Sequence, residues 1–405
     1  MPGLQQDILL ATMPDVRPLA SLLRSLSFRH QATVKIDSQG LRFTVEEGRG
    51  LQAHAYMTSD SFSSYQLSLS PSDPAAISDE PPRSRSPSPS ADDDEQGQER
   101  RNEALYCHTS ISLSTLLECL NIFGNAGLVA APSSSSSRFK RDRSVREDTF
   151  ADDGGGYGGG GRRRQGGGGD HYPQEEERAG PKEKTSLRIS YKGLGEPLVL
   201  LLEESGIVTR CELTTYEPDG LLDLAFPNDE RVVRLIMKSE WLRDALLELP
   251  PSSEKLSISF APPHLVSRAR GGGQAGRYRR EGTEMDVDDR QEEEEEVPLF
   301  RLESTGTLGS TEMDYSDDRD VLEVFECDQP VRNTYRFSHI QLTKSALGAS
   351  TKTSIRTAPS GLVSFQFMVP LGSQKPVRGG SGGEAGKEQK VGFVEFLCVA
   401  LDDDY

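Results

Sequence analysis

Asp286-Val-Asp288 is the arrangement here that comes nearest to a catalytic one. Two carboxylates at this spacing can share a Mg²⁺ ion in a nuclease, but only when the backbone holds them rigid. These two lie in the run "TEMDVDDRQEEEEEV", which supplies charge and no apolar anchor, and Asp402 to Asp404 fall at the end of the chain. Gly193 and Gly195 in "GLGEPL" lack the third glycine and the following helix of a dinucleotide loop. "SGGEAGKE" departs from a phosphate-binding loop at Ser381 and at Glu388, which follows Lys387. The histidines are His30, His54, His108, His171, His264 and His339, with no H-x-x-x-H spacing. Cys107, Cys119, Cys211, Cys327 and Cys398 show no C-x-x-C. Neither a metal site nor a cofactor is expected, and the odd, scattered cysteines fit reduced thiols inside a cell.

The 405 residues carry a formal net charge of −18, with 34% hydrophobic residues. That balance argues against coating nucleic acid indiscriminately, while leaving room for a local basic surface. No run of 18 apolar residues occurs, so no membrane contact is expected, and "MPGLQQDILLATMPDVRP" does not read as a signal peptide. Residues 70–102, 126–184, 267–297 and 371–389 are rich in Ser, Gly, Arg and Glu, and read as disordered insertions. Removing them leaves about 260 residues, enough for two ordinary domains. "GGGGRRRQGGGG" and "RFKRDR" have the composition of weak RNA-binding or nuclear-import tracts, and Ser86 and Ser88 each precede a proline.

The elements that would position a site come twice. "VRPLASLLRSLSF" sets Leu19, Leu22, Leu23 and Leu26 on one helical stripe, and "SEWLRDALLEL" does the same with Leu242, Ala245, Leu246 and Leu249. Strands follow each: "ATVKIDSQGLRFTVEE", turning at Gly40, and later "KLSISF" and "PLFRLES". A second helix comes next, with Leu113, Leu116, Leu117 and Leu120 aligned in the first copy. Ile340, Thr343 and Leu347 align in the weaker second copy. Then "TSLRISYKG" (185–193) is echoed by "TSIRTAPSG" (353–361), each leading into apolar strands. The expected fold is α+β: two pseudo-repeated domains, 1–215 and 231–405, joined by a Pro/Asp-rich connector at 216–230. In each, two helices lie on one face of an antiparallel sheet.

Four stretches carry a resemblance: "VKIDSQGLRFTVEE", "LLLEESGIVTRCELTTYEP", "SEWLRDALLELPPSSEKLSISFAPP" and "TKTSIRTAPSGLVSFQFM" with "GFVEFLCVAL". They look like the PCNA-like checkpoint clamp subunit of the Rad-one/Rec-one family, a member of the heterotrimeric nine-one-one clamp. The resemblance implies a DNA clamp fold, with sheets outside and helices lining a hole. It implies a nuclear ring made with two other clamp-like subunits around double-stranded DNA. It further implies loading by a clamp loader at damage, support of checkpoint kinase activation, and recruitment of repair enzymes. The family has at times been assigned 3′–5′ exonuclease activity, which stands as the alternative function.

On that reading the DNA-facing residues are Arg17 and Arg24 on the first helix, Lys238 and Arg243 at the third, and Lys344 on the fourth. Arg17, Ser21 and Arg24 recur opposite the leucine stripe, where they can meet phosphates without reading bases. In the connector, Leu221, Leu222, Leu224 and Phe226 either wall a groove for a client peptide or pin the connector to the core. Strands near "GIVTRCEL" and in the second half are expected to pair with neighbouring chains.

Overall fold

Strand pairing in the computed structural model begins at Leu9 and ends at Cys398. The structure describes residues 7–70, 73–74, 76–78, 105–124, 126, 184–218, 220–222, 224–265, 298–315, 317–371 and 390–402. All of them belong to one compact unit. The first stretch runs β1 (Leu9–Met13), α1 (Arg17–Arg24), β2 (Gln31–Asp37), β3 (Gly40–Glu47), β4 (Leu51–Thr58), β5 (Ser64–Leu67) and β6 (Ile77–Ser78). It continues through β7 (Leu105–Ser112), α2 (Leu113–Leu120), β8 (Ser186–Tyr191), β9 (Leu198–Glu204), β10 (Ile207–Leu213) and β11 (Thr215–Tyr216). After the connector come β12 (Val233–Lys238), α3 (Ser239–Glu248), β13 (Ser253–Phe260), β14 (Phe300–Gly306), β15 (Gly309–Tyr315) and β16 (Leu322–Cys327). The last elements are β17 (Val331–Arg336), α4 (Phe337–Gln341), α5 (Lys344–Ala349), β18 (Lys352–Thr357), β19 (Val363–Pro370) and β20 (Val391–Cys398).

All the pairings are antiparallel. The order β5–β1–β8–β9–β10 has its counterpart in β16–β12–β18–β19–β20, and β4–β3–β2–β7 in β15–β14–β13–β17. Registers correspond too. Laying α1 on α3 start to start, and Thr185 on Thr353, carries the buried pair Met13–Leu187 onto the buried pair Leu235–Ile355. β4 also pairs with β20, fusing strands from both ends of the chain into one long sheet. Across that junction the small Ala55 and Ala53 sit opposite the large Val394 and Phe396, all at most 1% exposed.

The helices form where the leucine stripes require burial. Leu19, Leu22, Leu23 and Leu26 are sealed, and Pro18 in the first turn of α1 gives up no needed N–H. Ser112 caps α2, its Oγ accepting from the Thr115 N–H at 3.3 Å. The fourth expected helix is interrupted between α4 and α5. There Thr343 Oγ1 donates to the Ile340 carbonyl at 2.7 Å, and two consecutive amides reach back three residues rather than four. α1 packs on β4 and β20, α5 on β19, α3 on β12 and β18, and α2 on β2, β7 and β10. A Cβ on Gly392 would come within 2.8 Å of a Leu22 methyl, so the α1–β20 contact depends on the missing side chain.

Three expectations need correction. Each half opens with a strand, β1 or β12, ahead of its helix, because "LLATM" and "VRLIMK" each fill the middle of a sheet. The polar strands β15, β16 and β17 were not anticipated, since one face of each is solvated and the apolar signal is diluted. Ile77–Ser78, inside the first expected insertion, pairs with Tyr106 and Leu105. The rest of the four insertions, including Ser86, Ser88, Asp286, Asp288 and Lys387, lies almost wholly outside the described residues.

Candidate nucleic-acid interface

The helices make a chain of contacts along the sheets: α2 touches α1, α1 touches α5, and α5 touches α3. Ser345 Oγ donates to the Arg24 carbonyl at 3.2 Å, tying the second half to the first. Their outward-facing side chains form the surface on which the expected cations were sought.

Those cations have other engagements. Arg17 grips Asp15 through two nitrogens, with Nη2 at 2.5 Å from Oδ2, and this bond raises its pKa. Arg24 is half-buried and donates from Nη2 to the Ala126 carbonyl; burial lowers its pKa without making it neutral. Arg243 pairs with Asp244 at 3.0 Å. Lys344 is half-buried. Lys238 needs correction. Val233, Leu235 and Met237 point to the helices, so strand alternation sends Lys238 to the opposite face beside Lys352. Glu118, Asp244 and Glu248 are exposed on the same helices, and Glu240 is half-buried. The helix surface is therefore close to electrically balanced, unlike the dense cationic strip that fixes a protein on phosphates. Reading the sequence by type missed Asp15, although its placement two residues before Arg17 was visible.

On the sheet face opposite the helices, the connector crosses from β11 to β12. The Leu222 N–H donates to Glu46 Oε2 at 2.9 Å, and its carbonyl accepts from Gln52 Nε2 at 2.5 Å. The Phe226 ring lies 4.6 Å from the Arg356 guanidinium, which also donates to Asn228 at 2.5 Å and to Glu395 at 2.7 Å. Glu395 accepts further from Ser364 at 2.7 Å, Gln366 at 3.3 Å and Tyr56 at 3.2 Å. Leu221, Leu222, Leu224 and Phe226 are all half-buried. The connector is thus held at least as much by its backbone and by Arg356 as by its leucines. Glu395, a lone charge in the apolar run "VGFVEFLCVAL", was the available sequence signal.

The chemistry of the remaining titratable groups is quiet. His54 is buried against Thr44, and burial together with Arg42 pulls its pKa down to about 3, so it is neutral at pH 7. Burial pushes the Cys107 and Cys119 thiols up to about 11, away from nucleophilic character. Among the described residues no three His, Cys, Asp or Glu side chains gather to hold a metal ion. No helix among them is long and apolar enough to cross a membrane.

Comparison with known proteins fits this architecture. The family model "Repair protein Rad1/Rec1/Rad17" matches residues 8–369. The chain is 31% identical to the DNA repair exonuclease REC1 of Mycosarcoma maydis, over 97% of this chain and 96% of that protein. It is 26% identical to the cell cycle checkpoint protein RAD1 of Homo sapiens, over 98% and 96%. It is 25% identical to the DNA damage checkpoint control protein rad1 of Schizosaccharomyces pombe, over 96% and 84%. With a family match spanning most of its length, and strands and helices that account for it, the chain belongs to the Rad1/Rec1/Rad17 repair-protein family.

Proposed function

We propose that this chain acts in the DNA-damage checkpoint as one subunit of a PCNA-like ring clamp. Its two pseudo-repeated domains, 1–215 and 231–405, would make one third of a heterotrimer around double-stranded DNA. One observation carries the reading. Among the described residues β10 and β15 are unpaired sheet edges, while their counterparts β20 and β4 pair with each other inside the chain. The molecule thus contains an internal example of the joint its two ends would make with neighbours. Ile207 and Val208 on β10 are each 61% exposed, and open strand edges with such side chains call for a partner. A head-to-tail joint of this type closes into a ring when the rotation permits.

The near-balanced helix surface suits a lining that slides along duplex DNA. Arg243 and Lys344 remain its best contributors, with Arg17 and Arg24 acting through their internal bonds first. Checkpoint names among the relatives support the cellular role, and with it a nuclear location, a clamp loader and repair-enzyme clients. The alternative, a 3′–5′ exonuclease, rests on the name of the REC1 relative. The absence of a metal-binding carboxylate cluster among the described residues favours the clamp.

Co-purification tests the proposal. The full chain is expected to elute in an equimolar complex with two other clamp-like chains, and to show no Mg²⁺-dependent cleavage of single-stranded or duplex DNA. Elution as a lone chain, or cleavage abolished by one carboxylate substitution, would refute it.

A further inference from the structure

Trp241, the chain's single tryptophan, is 41% exposed on α3, and Leu247 on the same helix is 62% exposed. A helix serving only to meet phosphates has no use for either. Asp244 and Glu248 fall one and two turns after Trp241 on its stripe, and both are exposed. This flank faces the open edge strand β15. Tyr315, at the end of β15, donates to the Trp241 carbonyl at 3.5 Å, and its ring stacks on Phe300 at 5.0 Å. Burial, with Glu248 and Asp244 close by, raises the Tyr315 pKa to about 12. Arg243 projects from another flank of the helix.

We infer that the Trp241–Asp244–Glu248 flank of α3 and the edge of β15 form one docking surface for a different clamp-like chain, whose facing helix carries Lys or Arg around an apolar seat for Trp241. This rests on the ring reading above and adds the chemistry of the partner. Charge complementarity sets the choice. The surface presents two exposed acids beside a large aromatic ring, the kind of side chain that anchors interfaces. The chain's own opposite end is a poor match. α2, beside β10, has no Lys or Arg and contributes the exposed Glu118, while on β10 Arg210 is held by Glu212 at 2.6 Å. Closing a ring with copies of itself would set these acids against an acidic helix and an arginine already engaged, so the geometry selects against a homotrimer.

The lone tryptophan reports on the surface directly. The full chain labelled with 5-fluorotryptophan should give one ¹⁹F resonance that shifts in the co-purified complex. It should not move with the concentration of the chain alone or on adding duplex DNA. A resonance that moves with self-concentration, moves with DNA, or stays fixed in the complex overturns the inference. The variant Trp241→Ala/Asp244→Lys/Glu248→Lys should release one partner and keep the other, weakening the affected joint at least about tenfold. Retention of both partners overturns the inference while leaving the ring reading intact. If that variant fails to fold by circular dichroism, Asp244→Asn/Glu248→Gln should weaken the same joint and flatten its salt dependence. An unchanged salt dependence counts against the inference. If the wild-type chain forms no complex, the ring reading itself fails.

Discussion

Replacing Arg356 by methionine should separate the connector from the sheet and reveal what Glu395 costs when unpaired. Both side chains are only 12% exposed, and their contact is 2.7 Å. Removing one partner of a buried pair typically costs about 3–5 kcal/mol. The lower end applies here, because Ser364 and Gln366 still donate to Glu395. The stacked Phe226 and the Asn228 bond add about 1 kcal/mol each. The expected total is about 4–5 kcal/mol, much of a typical domain's stability. Arg356→Met/Glu395→Gln should recover at least about 1.5 kcal/mol, since the amide oxygen still accepts the neutral donors and no charge is stranded. Urea unfolding of the full chain, followed by far-ultraviolet circular dichroism, measures both values. Hydrogen exchange should quicken at residues 224–230 in the single variant. The Leu222 amide, bonded to Glu46, should stay protected. A single-variant cost below about 1 kcal/mol, or a double variant less stable than the single, would refute the assignment of Arg356 as the connector's anchor.

Other outcomes follow from the same structure. His54 keeps its neutral form when folded, while the unfolded chain takes up a proton below about pH 6.5. Stability should therefore be full above that pH and fall by up to about 1.4 kcal/mol per unit as the pH drops toward 3. His54→Gln should flatten that slope in acid titrations of the unfolding midpoint. Gly392→Val should destabilise by about 1–3 kcal/mol in the same unfolding assay, because the new methyls meet Leu22. Lys344→Glu in the assembled complex should weaken duplex binding and reduce the salt dependence of log K by about one for each phosphate no longer neutralised. Arg17→Ala should act on folding instead, by about 1 kcal/mol, because Asp15 loses its partner.

The sequence by itself determined the helices and the register of the strands that follow them. A stripe such as Leu19, Leu22, Leu23 and Leu26 has one way to be buried, and the echo of Thr185 in Thr353 reappears as matching strand pairs. It also carried enough segments in order to indicate the family. What it left undecided was the fate of charged and polar residues. Arg17 and Arg24 read as solvent-facing cations, yet Asp15 and the Ala126 carbonyl take them up. Lys238 read as helix-borne, yet strand alternation carries it to the other face. Glu395 and Arg356 lie 39 residues apart and meet because β18, β19 and β20 are neighbours. Apolar periodicity is a local property, fixed by the repeat of each element and by water's exclusion from one side. The partner of a charge is set by which strands come to lie together, and that is decided only when the tertiary structure forms.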